Sequence, residues 1–192
     1  MRKAEIVHRA ECYRGFYRVE RIALRHDRHA GNVTPLLTRE MVSRSDIVAV
    51  LPYDPVSDKY VLIEQFRPGA LVAGGDPWLF EIVAGHLEPR EAPSHAARRE
   101  TLEETGCEVR ILTPLATYYL APNLSPDRVH LFLGEVDAPP TERLCGRGDE
   151  DEDIRVLPVD RAEADAMTAA GRITSPWTLL ALALMRHRTP AA

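Results

Sequence analysis

The 192-residue sequence predicts an α/β (α+β) fold: a mixed β-sheet sandwiched between helices, with an antiparallel β segment at the N-terminus. Three observations carry that expectation. Two strand-length apolar runs, Ile47 to Tyr53 and Tyr60 to Phe66, are separated by a short polar turn containing Ser57 and Asp58, the pattern of an antiparallel pair. From Ser94 to Thr105 there is no Pro, Gly or aromatic residue, while Pro93 and Gly106 stand where helices commonly start and stop. Two more helical stretches, about Arg161 to Ala170 and Pro176 to Arg188, close the chain.

Along the chain, Tyr13 to Leu24 partly alternates, with Phe16, Tyr17, Val19, Ile22 and Leu24 set among charged residues, and predicts a strand with one wet face that begins a hairpin. Asp27 to Pro35 is turn-rich, and Leu36 to Ser43 predicts the next strand. The run Ile47 to Tyr53 is apolar enough to be buried on both faces, and Asp54-Pro55 ends it. Arg67 to Pro77, with three glycines and two prolines, predicts a loop. Trp78 to Val83 predicts a short strand running into Ala84-Gly85, then a polar loop from Gly85 to Glu91. After the Ser94 helix, strands are predicted at Ala116 to Leu120, Val129 to Val136 and Ile154 to Pro158, the last preceded by an acidic loop from Gly146 to Asp153. No internal repeat is visible.

Composition narrows the function classes. Apolar residues are 45% and charged residues 28%, so a core of normal size can form and bulk disorder is excluded. The net charge of -5 has the wrong sign for a protein that neutralises phosphate backbones, which argues against a nucleic-acid partner. Cys12, Cys107 and Cys145 are odd in number, with no CxxC pair or nearby His at ligand spacing, and read as reduced cytoplasmic thiols. The longest apolar run, Leu179 to Met185, is far below the ~20 residues that span a bilayer, and Met1 to Glu5 does not begin a signal peptide, so no membrane partner is expected.

The chemistry is concentrated in the Ser94 helix. Positions three and four apart share a helical face, so Glu100 lies beside Glu103 and Glu104, with Arg99 adjacent. At an effective dielectric of ~20 and ~6 Å separation, such carboxylates repel by roughly 3 kcal/mol per pair. A hard divalent cation such as Mg²⁺, which takes oxygen ligands from one or two carboxylates plus substrate phosphates, resolves the crowding.

The spacing is more specific than the cluster. Gly85, five residues, Glu91, seven residues, Arg99-Glu100, two residues, Glu103-Glu104, one residue and Gly106 together form a complete Nudix box. Its aliphatic positions are filled by Thr101 and Cys107, departures that touch helix packing rather than chemistry. Beyond the box, DPVSDKYVLIEQFRPGA, PWLFEIVAGHLEP, YYLAPNLSPDRVHLFLGEVDA and DEDEDIRVLPVD resemble the bacterial ADP-ribose pyrophosphatases of the Nudix hydrolase superfamily. Pro122, fifteen residues after Cys107, stands where the ADP-ribose-specific members carry a proline.

The resemblance implies a Nudix fold, with residues 46–192 as the hydrolase domain and residues 1–45 as a β segment exchanged in a homodimer. It implies Mg²⁺, with Mn²⁺ as a substitute, held by Glu100, Glu104, the carbonyl of Ala84 and nearby Glu103, and Glu91 and Arg99 as an ion pair that keeps loop and helix in register. The general base comes from the acidic loop: Glu150, four residues before Ile154, matches the relatives' base, and Glu152 is its rival. Phe16 and Arg39 match adenine-holding positions, and Arg67 one that meets a phosphate or ribose. The implied reaction is hydrolysis of ADP-ribose to AMP and ribose 5-phosphate. The alternatives are another nucleotide-sugar substrate, such as GDP-mannose, and a non-catalytic ADP-ribose-binding regulator. The intact set of box carboxylates argues against the latter.

Overall fold

The computed structural model describes residues 2–146, 148 and 152–186. In chain order the elements are β1 (Ala4–Arg14), β2 (Arg18–His26), β3 (Leu37–Ser43), β4 (Ile47–Asp54), β5 (Lys59–Phe66), α1 (Pro68–Val72), β6 (Trp78–Glu81) and β7 (Val83–His86). They continue with α2 (Pro93–Thr105), β8 (Ile111–Tyr119), β9 (Arg128–Glu135), β10 (Arg143–Cys145), β11 (Ile154–Asp160), α3 (Arg161–Ala169) and α4 (Pro176–Arg186). The α+β class is as the sequence predicts. Two compact units result: Met1–Asp46 with Tyr118–Val129, and Ile47–Thr117 with His130–Ala192.

In the first unit β1, β2 and β3 form an antiparallel sheet in that order, with Ala4 opposite His26 and Arg14 opposite Arg18. The single strand expected over Tyr13 to Leu24 is corrected: the chain reverses at Gly15 to Tyr17, where the Gly15 N–H donates to the Tyr17 carbonyl (2.9 Å). Phe16 and Tyr17 continue the apolar pattern across the turn, so periodicity does not reveal it. The tail of the unit is tied to β3 by the Val42 N–H to Leu124 carbonyl bond (2.8 Å) and by the Asp127 carboxylate, which accepts from the Arg44 N–H (3.0 Å).

The second unit is built on an eight-stranded sheet with the path β10-β11-β5-β4-β9-β8, to which β6 adds against β5 and β7 against β4. All eight residues of β4 are buried. Val48 and Val50 pack with Val83, Ala96 and Ala97, the last two from α2. Alternation along a strand sends Ala49 and Leu51, equally buried, to the opposite face, so both faces of β4 are covered. Helix α4 contacts β4, and α3 contacts β5 and β11.

Helix α2 begins with Pro93 at its first turn and ends where Gly106 takes a left-handed conformation (φ 63°), its N–H bonded to the Leu102 carbonyl (2.7 Å). Arg143 donates to the Thr105 carbonyl at that terminus and to the Cys107 sulfur (3.2 Å). The face against the sheet is made of small side chains, Ala96, Ala97, Thr101 and Thr105. Thr101 and Thr105 satisfy their buried hydroxyls on carbonyls four residues back (2.7 and 2.5 Å), which lets polar residues occupy a packed face.

Four further expectations are corrected. The Arg67 to Pro77 loop contains the short helix α1, and the strand expected over Trp78 to Val83 is broken at Ile82 into β6 and β7. Gly85 belongs to β7, so the polar loop starts only after His86, and the strand expected from Ala116 starts at Ile111. Among the described residues no helix is long and apolar enough to cross a membrane. All three cysteines are free.

Candidate active site

The site is assembled where β7 runs beside α2. The Ala84 N–H donates to Glu104 Oε2 (3.2 Å), which draws a side chain of α2 onto the strand. One residue on, a Cβ at Gly85 would collide with the Glu100 carboxyl group, so this strand position must be bare for Glu100 to lie across it. Arg99 spreads its guanidinium over three carboxylates. It grips Glu91 with two bonds (Nε to Oε1 3.0 Å, Nη2 to Oε2 2.9 Å) and reaches Glu100 (2.8 Å) and Glu103 (3.2 Å) with Nη1. Nη2 also approaches the His86 carbonyl (3.4 Å). Glu91 turns back to accept the Glu88 N–H (3.0 Å), which pins the loop between β7 and α2 to the helix.

The carboxylates do not share one electrostatic fate. The Arg99 fork holds Glu91 down to about 2. Burial raises Glu100, against the pull of Arg99, and its neighbours Glu103 and Glu152 add to the rise. Glu104 is only 3% exposed, and burial raises it well above the usual carboxylate range; Glu100 and Glu152 push the same way, while the Ala84 N–H and Arg67 oppose them. A buried carboxylate next to two others needs a cation to remain ionised. Among the described residues, no three His, Cys, Asp or Glu side chains stand together as a ready-made cation cage. The oxygen donors of buried Glu104 and of Glu100, which shares the Arg99 guanidinium with two other carboxylates, nevertheless suit a hard divalent ion that completes its shell with water and phosphate oxygens.

The sequence-derived residues fall in both units. In the second, Ala84, Glu100, Glu103, Glu104 and Arg99 meet as described, and Glu152 is close enough to raise both Glu100 and Glu104. The neck of the acidic loop is pinched: a Cβ at Gly146 (φ 111°) would lie 2.5 Å from the Glu152 carbonyl oxygen. Glu150, with Asp149 and Asp151, lies outside the described residues. Arg67 precedes α1, and its Nε donates to Glu81 (2.5 Å).

In the first unit Phe16 occupies the β1–β2 turn, 66% exposed rather than a strand residue of the core, with the Arg44 guanidinium 3.9 Å from its ring centre. Arg39 lies exposed on β3 and donates to the Thr38 carbonyl (2.7 Å); Pro122 lies exposed after β8. Two participants escaped the sequence reading. Glu81, 3% exposed, fixes Arg67, and its signal is a lone acid within the apolar run from Trp78 to Val83. Thr178, fully buried on α4, accepts the Ile82 N–H (3.0 Å) across 96 residues, and nothing local marks it.

Comparison with known proteins adds four findings. The family model for the NUDIX domain matches residues 43–178. An ADP-ribose pyrophosphatase of Escherichia coli (strain K12) is 37% identical over 178 residues, 93% of this chain and 85% of that protein. A GDP-mannose pyrophosphatase of Pectobacterium atrosepticum is 35% identical over 145 residues, 75% of this chain and 74% of that protein. Among solved structures, one described as an ADP compounds hydrolase has a TM-score of 0.74 at 21% identity, covering 96% of this chain and 92% of that one, a likeness of fold.

Proposed function

This chain belongs to the NUDIX domain family, and from that premise we propose that it is a pyrophosphatase that uses water and Mg²⁺ to cleave ADP-ribose into AMP and ribose 5-phosphate. One observation carries the reading: Glu104 is buried and bonded to the Ala84 N–H, and half-buried Glu100 lies over Gly85 beside it, with Glu152 adding charge of the same sign. A protein gains nothing in stability from such a group, so its use lies in what it attracts.

A divalent cation held by Glu100, Glu104 and the Ala84 carbonyl, with Glu103 beside them, would neutralise the diphosphate and polarise the phosphorus; Mn²⁺ is an acceptable substitute for Mg²⁺. The rest of the work falls to this chain's own groups. The Glu91–Arg99 pair keeps α2 in register with the loop that precedes it. The base that takes the proton from the attacking water is Glu150 on the acidic loop, with Glu152 as its rival. The new bond joins water oxygen to one phosphorus, and the bridging oxygen leaves with the other phosphoryl group. Arg67, steadied by Glu81, meets a phosphate or ribose oxygen, Phe16 and Arg39 hold the adenine, and Pro122 selects the ADP-ribose geometry.

The first unit supports a homodimer in which residues 1–45 are exchanged. Strand β1 is a sheet edge eleven residues long, exposed throughout, and Ile6, Val7, Tyr13, Phe16 and Tyr17 are exposed apolar side chains of the same hairpin. A cytoplasmic location fits the three free thiols.

The test is a panel of nucleoside diphosphate sugars, with and without Mg²⁺, read by release of phosphatase-sensitive monoester. ADP-ribose is expected to give the highest kcat/KM, and activity is expected to vanish with a chelator. A preference for GDP-mannose would move the assignment to the activity named for the second type of relative. Turnover in ¹⁸O-labelled water is expected to place the label in AMP; label in ribose 5-phosphate would reassign the phosphorus attacked.

A further inference from the structure

The strand that carries Ala84 and Gly85 changes partner just before it reaches them. Up to Glu81 it pairs with β5, with Phe66 opposite Trp78 and Ile63 opposite Glu81; from Val83 it pairs with β4, with Val50 opposite Val83 and Ile47 opposite His86. Ile82 is the one residue between the two ladders, and it is fully buried. Its N–H is received by the hydroxyl of Thr178, itself fully buried in the first turn of α4 (3.0 Å). Helix α4 is anchored in turn by the buried side chains of Ala181, Leu182 and Met185, so the hydroxyl is presented from a fixed support.

What this contact controls lies on either side of Ile82. The preceding residue, Glu81, holds Arg67. The second and third following residues are Ala84, bonded to Glu104, and Gly85, over which Glu100 lies. Rotating the Ile82 peptide therefore displaces both the support of the cationic side chain and the surface on which the carboxylates rest.

We propose that Thr178 is a positioning residue: by receiving the Ile82 N–H it fixes the point at which the strand switches partner and so sets the geometry of the Ala84, Glu100 and Glu104 cation site. The inference rests on the metal-dependent reading of that site. It assigns a role in binding to the C-terminal helix, which contributes none of the box residues.

The experiment compares the full chain with Thr178→Val, which keeps the shape and removes the acceptor, Thr178→Ser, which keeps the acceptor, and Thr178→Ala. Mn²⁺ binding is read at 25 °C by the loss of the free-ion electron paramagnetic resonance signal, with melting temperature measured alongside. The valine variant is expected to bind Mn²⁺ about tenfold more weakly, and the serine variant as the wild type does. Should the valine variant fail to fold, the serine and alanine variants give the same comparison, with weakening only in alanine.

A purely structural role would lower the melting temperatures and leave the ion affinity of the folded protein unchanged. Equal Mn²⁺ affinity in all variants, or a serine variant as weak as the valine or alanine one, overturns the inference alone. Absence of Mn²⁺ binding by the wild type overturns the metal reading and the inference with it.

Discussion

Arg99 and Glu104 are neighbours on one helix, yet they answer to opposite physics. Arg99 is surrounded by carboxylates and stabilises them; Glu104 is buried, with the like charges of Glu100 and Glu152 nearby. Glu104→Gln keeps the volume and an oxygen to accept the Ala84 N–H while removing the charge. It is expected to reduce activity at least ~100-fold together with ion affinity. The melting temperature of the metal-free protein is expected to stay level or rise, since a carboxyl that burial forces to take up a proton on folding is replaced by a neutral amide. A variant that loses activity but binds Mn²⁺ normally would deny Glu104 its place as a ligand.

Glu91 supplies the test of sign at this scale. Its folded value of about 2 lies below the ordinary 4.5, so the stability it contributes is fully present above pH 4.5 and is lost as pH falls toward 2. With a side chain only 8% exposed, the contribution is of order 2 kcal/mol after allowance for solvent screening. Glu91→Gln is expected to flatten that part of the acid limb in a chemical-denaturation series; an unchanged limb would mean that the fork to Arg99 adds nothing.

At the scale of elements, the site depends on a helix and a strand lying closer than ordinary side chains permit. Gly85 makes that approach possible, because any Cβ there meets the Glu100 carboxyl group. Gly85→Ala is therefore expected to cost at least ~100-fold in turnover through displaced ligands, with circular dichroism unchanged because the surrounding ladder with β4 remains. Full activity in this variant would show that Glu100 can leave the strand without consequence. Gly106 serves a different purpose in the same helix: its φ of 63° ends α2, and Arg143 closes the terminus. Both glycines belong to the box spacing, one for a close approach and one for a left-handed cap.

At the scale of the molecule, the residues proposed for chemistry and those proposed for adenine binding reside in separately packed units. The first unit is discontinuous: Tyr118–Val129 joins Met1–Asp46. The expected solution mass is that of two chains, measured by sedimentation, and removal of residues 1–45 is expected to give single chains. A one-chain mass for the full protein would remove the exchanged-segment reading and leave the hydrolase assignment standing.

The sequence alone determined the α+β class, the ends of α2, the buried β4 and the identity of the box, because each depends on local rules: apolar runs, Pro and Gly at helix ends, and carboxylates at helical spacing. It missed the reversal at Gly15, where aromatic residues continue the apolar pattern through a turn, and the break at Ile82, where one apolar run serves two ladders. Only the tertiary structure decided which carboxylate is buried and which is held by arginine, since Glu100, Glu103 and Glu104 are chemically alike until packing removes water from one of them. Likewise only the fold brought Glu81 to Arg67 and Thr178 to Ile82. Spacing along a chain fixes what lies on one turn of helix; desolvation and contacts across 96 residues exist only once the chain has closed on itself.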